Sequence, residues 1–146
     1  MSEHRAELKW SRKSDGFSYD EYNRSHEWLV AGQKIAASAA PSFKGDESMV
    51  DPEEAFVASV ASCHMLTFLA ICAKKRLVVN SYSDNAVGFL ELNANKKLSM
   101  TRVELHPKIE FAEGSEVDSD KLRQLHGLSH KECFIANSVN CEIVVL

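Results

Sequence analysis

Apolar and polar residues alternate near the start of this chain. Ala6, Leu8 and Trp10 interleave with Glu7, Lys9 and Ser11, the strand period. His26 to Val30 and Gln33 to Ser38 read as two more strands, and Ala31-Gly32 between them predicts a hairpin. Pro41 to Asp46 reads as a loop. From Asp51 the pattern changes. Asp51 is placed to cap a helix, Pro52 suits the first helical position, and Glu54 completes a capping box. The helix is predicted to run to Lys75 or Arg76. From Ala55 onward it is apolar nearly all round, so it is expected to be covered on most sides. In so short a chain, the simplest cover is a partner subunit.

Beyond this helix, Tyr82 to Leu92 reads as a strand, Asn93 to Lys97 as a polar turn, and Leu98 to Phe111 as a strand. Pro107 marks an edge or bulge in the latter. Ser119 to Lys131 predicts a second helix, capped by Asp118 or Ser119, with Leu122, Leu125 and Leu128 on one side. Val139, Cys141, Ile143 and Val145 alternate as a terminal strand. Strands, helix, strands, helix, strand is an α+β order with a mainly antiparallel sheet. No repeat, linker or low-complexity segment interrupts it, so residues 1–146 are expected to form one domain.

Composition narrows the function classes. The balance is that of an ordinary globular protein, with 45% hydrophobic and 26% charged residues in 146. A net charge of -4 argues against nucleic acid, which demands a basic face. The one basic cluster, Lys74, Lys75 and Arg76, fits the last turn of a helix. Ala55 to Ala73 approaches membrane-spanning length, but Ser59, Ser62, His64 and Thr67 interrupt it, which favours a soluble core helix over a membrane segment. Met1 to Trp10 does not read as a secretory signal. The expected location is therefore the cytoplasm, where the 4 cysteines stay reduced.

Cys72 and Cys141 sit on apolar periodicities and read as core. Cys63 lies within the long helix, in Ala61-Ser62-Cys63-His64-Met65. Cys133 follows the second helix, in His130-Lys131-Glu132-Cys133-Phe134. Residue type alone leaves several uses open for these two. They are core filler, or redox groups, or zinc ligands together with His126 and His130. A dimer that binds a small apolar ligand, with its cysteines as filler, also fits.

Asp51-Pro52-Glu53-Glu54-Ala55-Phe56-Val57-Ala58-Ser59-Val60-Ala61-Ser62-Cys63-His64 strongly resembles the signature of the OsmC/Ohr family, the osmotically inducible protein C and organic hydroperoxide resistance proteins. That signature is a Pro-Glu pair, a run of apolar and small residues, and a cysteine ten residues after the glutamate. A second block, His130 to Ser138, resembles the family's histidine three residues before a cysteine. His64 after the first cysteine, and Phe134-Ile135-Ala136 where the hydroperoxide-resistance branch has Pro-Tyr, place the likeness nearer the OsmC-like branch.

The resemblance implies antiparallel sheets around a long buried central helix in an intertwined homodimer. It also implies thiol-dependent reduction of organic hydroperoxides. Cys63 matches the peroxidatic cysteine, Cys133 the resolving one, and Glu53 the active-site glutamate. Arg24 is the match for the active-site arginine, with Arg5 and Arg12 as alternatives. No bound cofactor or metal is implied. The implied partners are an organic hydroperoxide and an external dithiol, such as a lipoyl group or thioredoxin.

Elementary chemistry adds three expectations. A free cysteine near pKa 8.5 is only about 3% thiolate at pH 7, so Cys63 needs a partner that stabilises its anion, and Arg24 is the expected one. Glu53 is expected to orient that arginine. Ten helical residues span about 15 Å, so Glu53 and Cys63 of one straight helix cannot share a site, whereas two such helices packed antiparallel can pair them across a dimer. Phe17, Trp28, Met65 and Phe134 are the expected apolar lining. His26, His64, His126 and His130 read as structural histidines.

Overall fold

The computed structural model describes all residues, Met1 to Leu146. They form two units, Met1–Ala55 and Phe56–Leu146, taken in turn.

In the first unit, β1 (Glu7–Lys9), β2 (His26–Val30) and β3 (Gln33–Ala37) form an antiparallel sheet in that order. The predicted hairpin is present, with Trp28 opposite Ile35. Ala31 and Gly32 both take positive φ, 48° and 77°. That double left-handed turn matches the twist of the flanking strands, and glycine adopts it without strain. The long connection from β1 to β2 carries an aromatic cluster. Trp10, Phe17 and Tyr22 lie with ring centroids 5.2–6.4 Å apart. The Asn23 amide donates to the Ser11 and Ser25 carbonyls and accepts from the Lys13 N–H, which ties the connection to itself. Pro41–Phe43, expected as loop, forms a single 3-10 turn. Just after it, a Cβ on Gly45 would collide with the Ala39 carbonyl, so this turn requires glycine.

The capping box forms as predicted. Glu54 N–H donates to Asp51 Oδ1 at 2.8 Å, and Asp51 N–H donates to Glu54 Oε2 at 3.2 Å. Helix α1 (Pro52–Lys74) starts here and becomes the spine of the second unit. It ends one residue before the expected range, and Arg76, with φ of 59°, turns the chain out of the helix.

In the second unit, β4 (Val79–Asp84) pairs antiparallel with β7 (Pro107–Phe111), while β5 (Val87–Leu92), β6 (Leu98–Leu105) and β8 (Glu142–Val145) form a three-stranded sheet. Both long strand predictions therefore split in two. At the second break, the Asp84 carboxylate accepts the His106 N–H at 2.7 Å, and Pro107, which has no N–H, opens β7. The pairing of β6 with β8 is parallel, with Val103 opposite Ile143, a departure from the mainly antiparallel pattern. Helix α2 (Ser119–Glu132) begins at Asp118, whose side chain accepts the Lys121 N–H at 2.7 Å.

Val60, His64, Phe68 and Cys72, four residues apart along α1, form its buried stripe. Val60 packs with Val103 and Leu105, and Phe68 and Cys72 pack with Leu125 of α2. The expectation of a helix covered on most sides needs correction within one chain. Ser59, Ser62, Leu66, Ala70 and Ala73, also spaced by three or four, lie exposed on the opposite face, and Leu66 is 60% exposed. The all-round apolar pattern is real, and α1 is long and apolar enough to cross a membrane by length and composition. One chain provides a core layer for only one side of it.

Candidate functional site

Cys63 sits on α1 beside the buried stripe and is partly exposed. Cys133 caps the C-terminus of α2 and is buried. Cys133 lies beside Cys63 although seventy residues separate them, and each thiol shifts the acidity of the other. The turn after α2 holds this arrangement. Ala136 N–H donates to Cys133 Sγ at 3.4 Å, and Asn137 N–H donates to the Cys133 carbonyl at 3.0 Å.

The two thiols differ in acidity. Burial pushes the Cys63 thiol up, but the neighbouring Cys133 thiol, the Ile135 and Phe134 backbone and the Thr67 side chain act the other way, so it lies below the ordinary thiol value. Burial, then the donation to Cys63, holds Cys133 above that value. Cys63 is thus the more acidic thiol of the pair. No cation is among the groups acting on Cys63. Within the second unit the Cys133 thiol and the Phe134 and Ile135 backbone lower it; Arg24, the expected guanidinium, belongs to the first unit.

Beside Cys63 lies a cleft of about 630 Å³, lined by Ser62, Leu66, Thr67, Ala70 and Phe134, with Lys74 and Glu132 at its polar end. Phe134, expected as lining, is there and 81% exposed. Met65 does not line it, and Phe17 belongs to a hollow of the first unit. Thr67 was not singled out from the sequence, and its hydroxyl donates to the Cys63 carbonyl at 2.8 Å. A polar residue four places on from a cysteine in an apolar helix was the available signal. The Phe134 and Ile135 amides carried none, because backbone donors are invisible in side-chain types.

Arg24 is held inside the first unit. Its guanidinium donates to the Tyr22 and Tyr19 carbonyls, both at 2.6 Å, and lies over the Tyr22 ring at 3.7 Å from its centroid. It borders a hollow of about 420 Å³ with Trp10, Phe17, Tyr22 and His26. Glu53 is partly buried in the first turn of α1, where a carboxylate favours the helix dipole. Arg5 pairs with Glu3, and Arg12 donates to the Ser14 and Asp15 carbonyls, so both serve their own exposed segment. Cys72 and Cys141 pack in the two apolar clusters, and burial raises both thiols.

The zinc constellation is not assembled. No three His, Cys, Asp or Glu side chains gather at metal-binding geometry. His126 turns into the core instead, where its Nδ1 lies 3.0 Å from His64 Nε2. His26 bridges the Arg24 carbonyl and the Trp28 indole N–H, both at 2.8 Å.

The family model of OsmC-like proteins matches residues 45–145, which include both cysteines. The chain belongs to the OsmC-like family. Among solved structures, an OsmC-like protein of unknown function from Vibrio cholerae is 48% identical and superposes with a TM-score of 0.94, covering 100% of this chain and 99% of that one. An organic hydroperoxide resistance protein from Elizabethkingia anophelis is 15% identical with a TM-score of 0.76, covering 99% of this chain and 94% of that one. One from Legionella pneumophila is 16% identical with a TM-score of 0.74, covering 99% and 96%. The latter two share the fold. A search of the curated proteins finds no match.

Proposed function

We propose that this OsmC-like protein is a cytoplasmic thiol peroxidase that reduces organic hydroperoxides to alcohols. The observation that carries the reading is the paired thiols: Cys63, held below the ordinary thiol value, beside Cys133, held above it. The Cys63 thiolate attacks the terminal oxygen of ROOH and the O–O bond breaks. The alkoxide leaves, takes a proton and becomes the alcohol, and Cys63 becomes a sulfenic acid. Cys133 then attacks that sulfur, water departs, and a disulfide forms. An external dithiol, a lipoyl group or thioredoxin, reduces it by exchange and is itself oxidised.

Ionising Cys63 fully at pH 7 gains only about thirtyfold over a free thiol. The rest of any acceleration lies in aligning the O–O bond and stabilising the departing alkoxide. To Arg24 we assign binding the peroxide and neutralising the alkoxide. Only two of its five N–H donors are engaged with the Tyr19 and Tyr22 carbonyls. The apolar cleft beside Cys63 favours alkyl and lipid hydroperoxides over hydrogen peroxide. The exposed apolar face of α1 supports a homodimer in which a second copy covers that face and brings its own Glu53 toward this Cys63. Cys63→Ser tests the reading. It is expected to abolish turnover of cumene hydroperoxide, and one equivalent of that peroxide is expected to give a Cys63–Cys133 bridge by mass spectrometry in the unmodified protein. Unchanged turnover in the variant refutes the proposal.

A further inference from the structure

The His64–His126 pair is a polar contact in an otherwise apolar place. His64 occupies the second of four steps of a stripe whose other members are Val60, Phe68 and Cys72. Its ring is 1% exposed and lies nearly parallel to that of His126, at 5.3 Å between centroids, and Phe68 stacks on the other imidazole at 4.6 Å. His64 Nε2 and His126 Nδ1 are 3.0 Å apart. At that distance one nitrogen carries the proton and the other offers its lone pair, so both rings are neutral or only one is charged. A buried polar group without a partner is costly, so each ring requires the other.

These two residues sit at informative places. His64 is the next residue after Cys63 on α1. His126 lies on α2, seven residues before Cys133, which is about 10 Å along the helix axis. The backbones of α1 and α2 do not pack closely, so side chains alone span the gap. One of these contacts is apolar, Leu125 against Phe68 and Cys72. Apolar packing has no preferred direction and tolerates small slides along a helix. A hydrogen bond weakens steeply off its axis, so the imidazole pair sets the register.

We propose that His64 and His126 are positioning residues for disulfide formation: their hydrogen bond fixes α2 against α1 so that Cys133 meets Cys63. Neither ring touches substrate. The inference deepens the peroxidase reading but does not need peroxide for its test. The whole protein, as His126→Phe and as His64→Leu, is equilibrated with mixtures of reduced and oxidised dithiothreitol. Cys63 and Cys133 lose two electrons and two protons to oxidised dithiothreitol, which becomes its dithiol. The equilibrium constant measures how well the two sulfurs are held together.

Either variant is expected to lower that constant at least tenfold, about 30 mV for a two-electron couple, with its far-ultraviolet circular dichroism unchanged. His126→Asn and His64→Gln each keep a polar atom near the bonding nitrogen, and both are expected to restore most of the loss. His126→Phe preserves the aromatic stack on Phe68, and if one apolar variant fails to fold, the other carries the test. A constant equal to the unmodified protein's in a folded apolar variant overturns the proposal. So does an equal fall in the apolar and amide variants, or the absence of any Cys63–Cys133 disulfide in the unmodified protein. A disulfide that forms with dithiothreitol but never with hydroperoxide removes the peroxidase reading and leaves the positioning role standing.

Discussion

Replacing Cys133 with serine or with alanine separates two things the wild-type thiol does at once. Both variants lose the resolving sulfur, but only serine keeps a donor facing Cys63. A hydrogen bond to a charged group is worth about 1.5–3 kcal/mol, or about 1–2 pKa units in favour of the Cys63 thiolate. The Cys63 titration midpoint is therefore expected about 1–2 units higher in Cys133→Ala than in Cys133→Ser. Ultraviolet absorbance of the thiolate follows it, and the other two thiols do not interfere, because burial raises both Cys72 and Cys141. Reactivity changes less than the titration. At a pH below both midpoints the thiolate fraction falls about tenfold per unit, while the remaining thiolate becomes a better nucleophile with a Brønsted slope of about 0.4–0.5. The net loss in alkylation rate is about 3- to 10-fold. Equal midpoints in the two variants would show that the Ile135 and Phe134 amides hold the anion without Cys133, and the paired-thiol reasoning would fail.

Three further outcomes test the scaffold. His64, driven down to about 4 by burial and then by His126 and His130, binds its proton later than in the unfolded chain, where it titrates near 6.5. Stability should be level above pH 6.5 and fall by up to about 3 kcal/mol as pH drops to 4, measured by urea unfolding, and His64→Leu should flatten that slope. Phe68→Ala, at a fully buried ring packed on His126, Tyr82 and Leu125, should cost about 3–5 kcal/mol in the same assay. Asp51→Ala should cost about 1 kcal/mol through the lost cap of α1, and a variant within error of wild type would show the capping box to be idle.

Local chemistry made much of this fold legible. The cap at Asp51, the Ala31-Gly32 hairpin and the Asp118 start of α2 each rest on contacts within four residues, and each was found where the sequence placed it. The misses have tertiary causes. Leu98 to Phe111 reads as one strand because its break at His106 rests on the Asp84 carboxylate, twenty-two residues away. The parallel partnership of β6 with β8 has no signature in either strand alone. At the site, residue types and family likeness pointed to Cys63 and Cys133. They could not show that the Phe134 and Ile135 backbone also acts on Cys63, because backbone groups leave no trace in side-chain types. His64 and His126 read as structural from type, and nothing in a sequence says that sixty-two residues apart they share one hydrogen bond.

The donors around Cys63 bear on how the labour of the proposed reaction divides. Neutral donors can favour a thiolate without the long reach of a full positive charge. A guanidinium beside the sulfur would lower its pKa further but also its nucleophilicity, which falls as basicity falls. Neutral groups such as the Cys133 thiol lower Cys63 with a smaller loss of nucleophilicity. The charge that needs a cation appears later, on the departing alkoxide, whose basicity far exceeds a thiolate's. In the proposed cycle an arginine such as Arg24 therefore contributes most at bond breaking rather than in the resting protein. Its replacement by lysine should slow turnover with peroxide far more than it shifts the Cys63 titration, and a variant in which the two change in step would place the cation beside the sulfur after all.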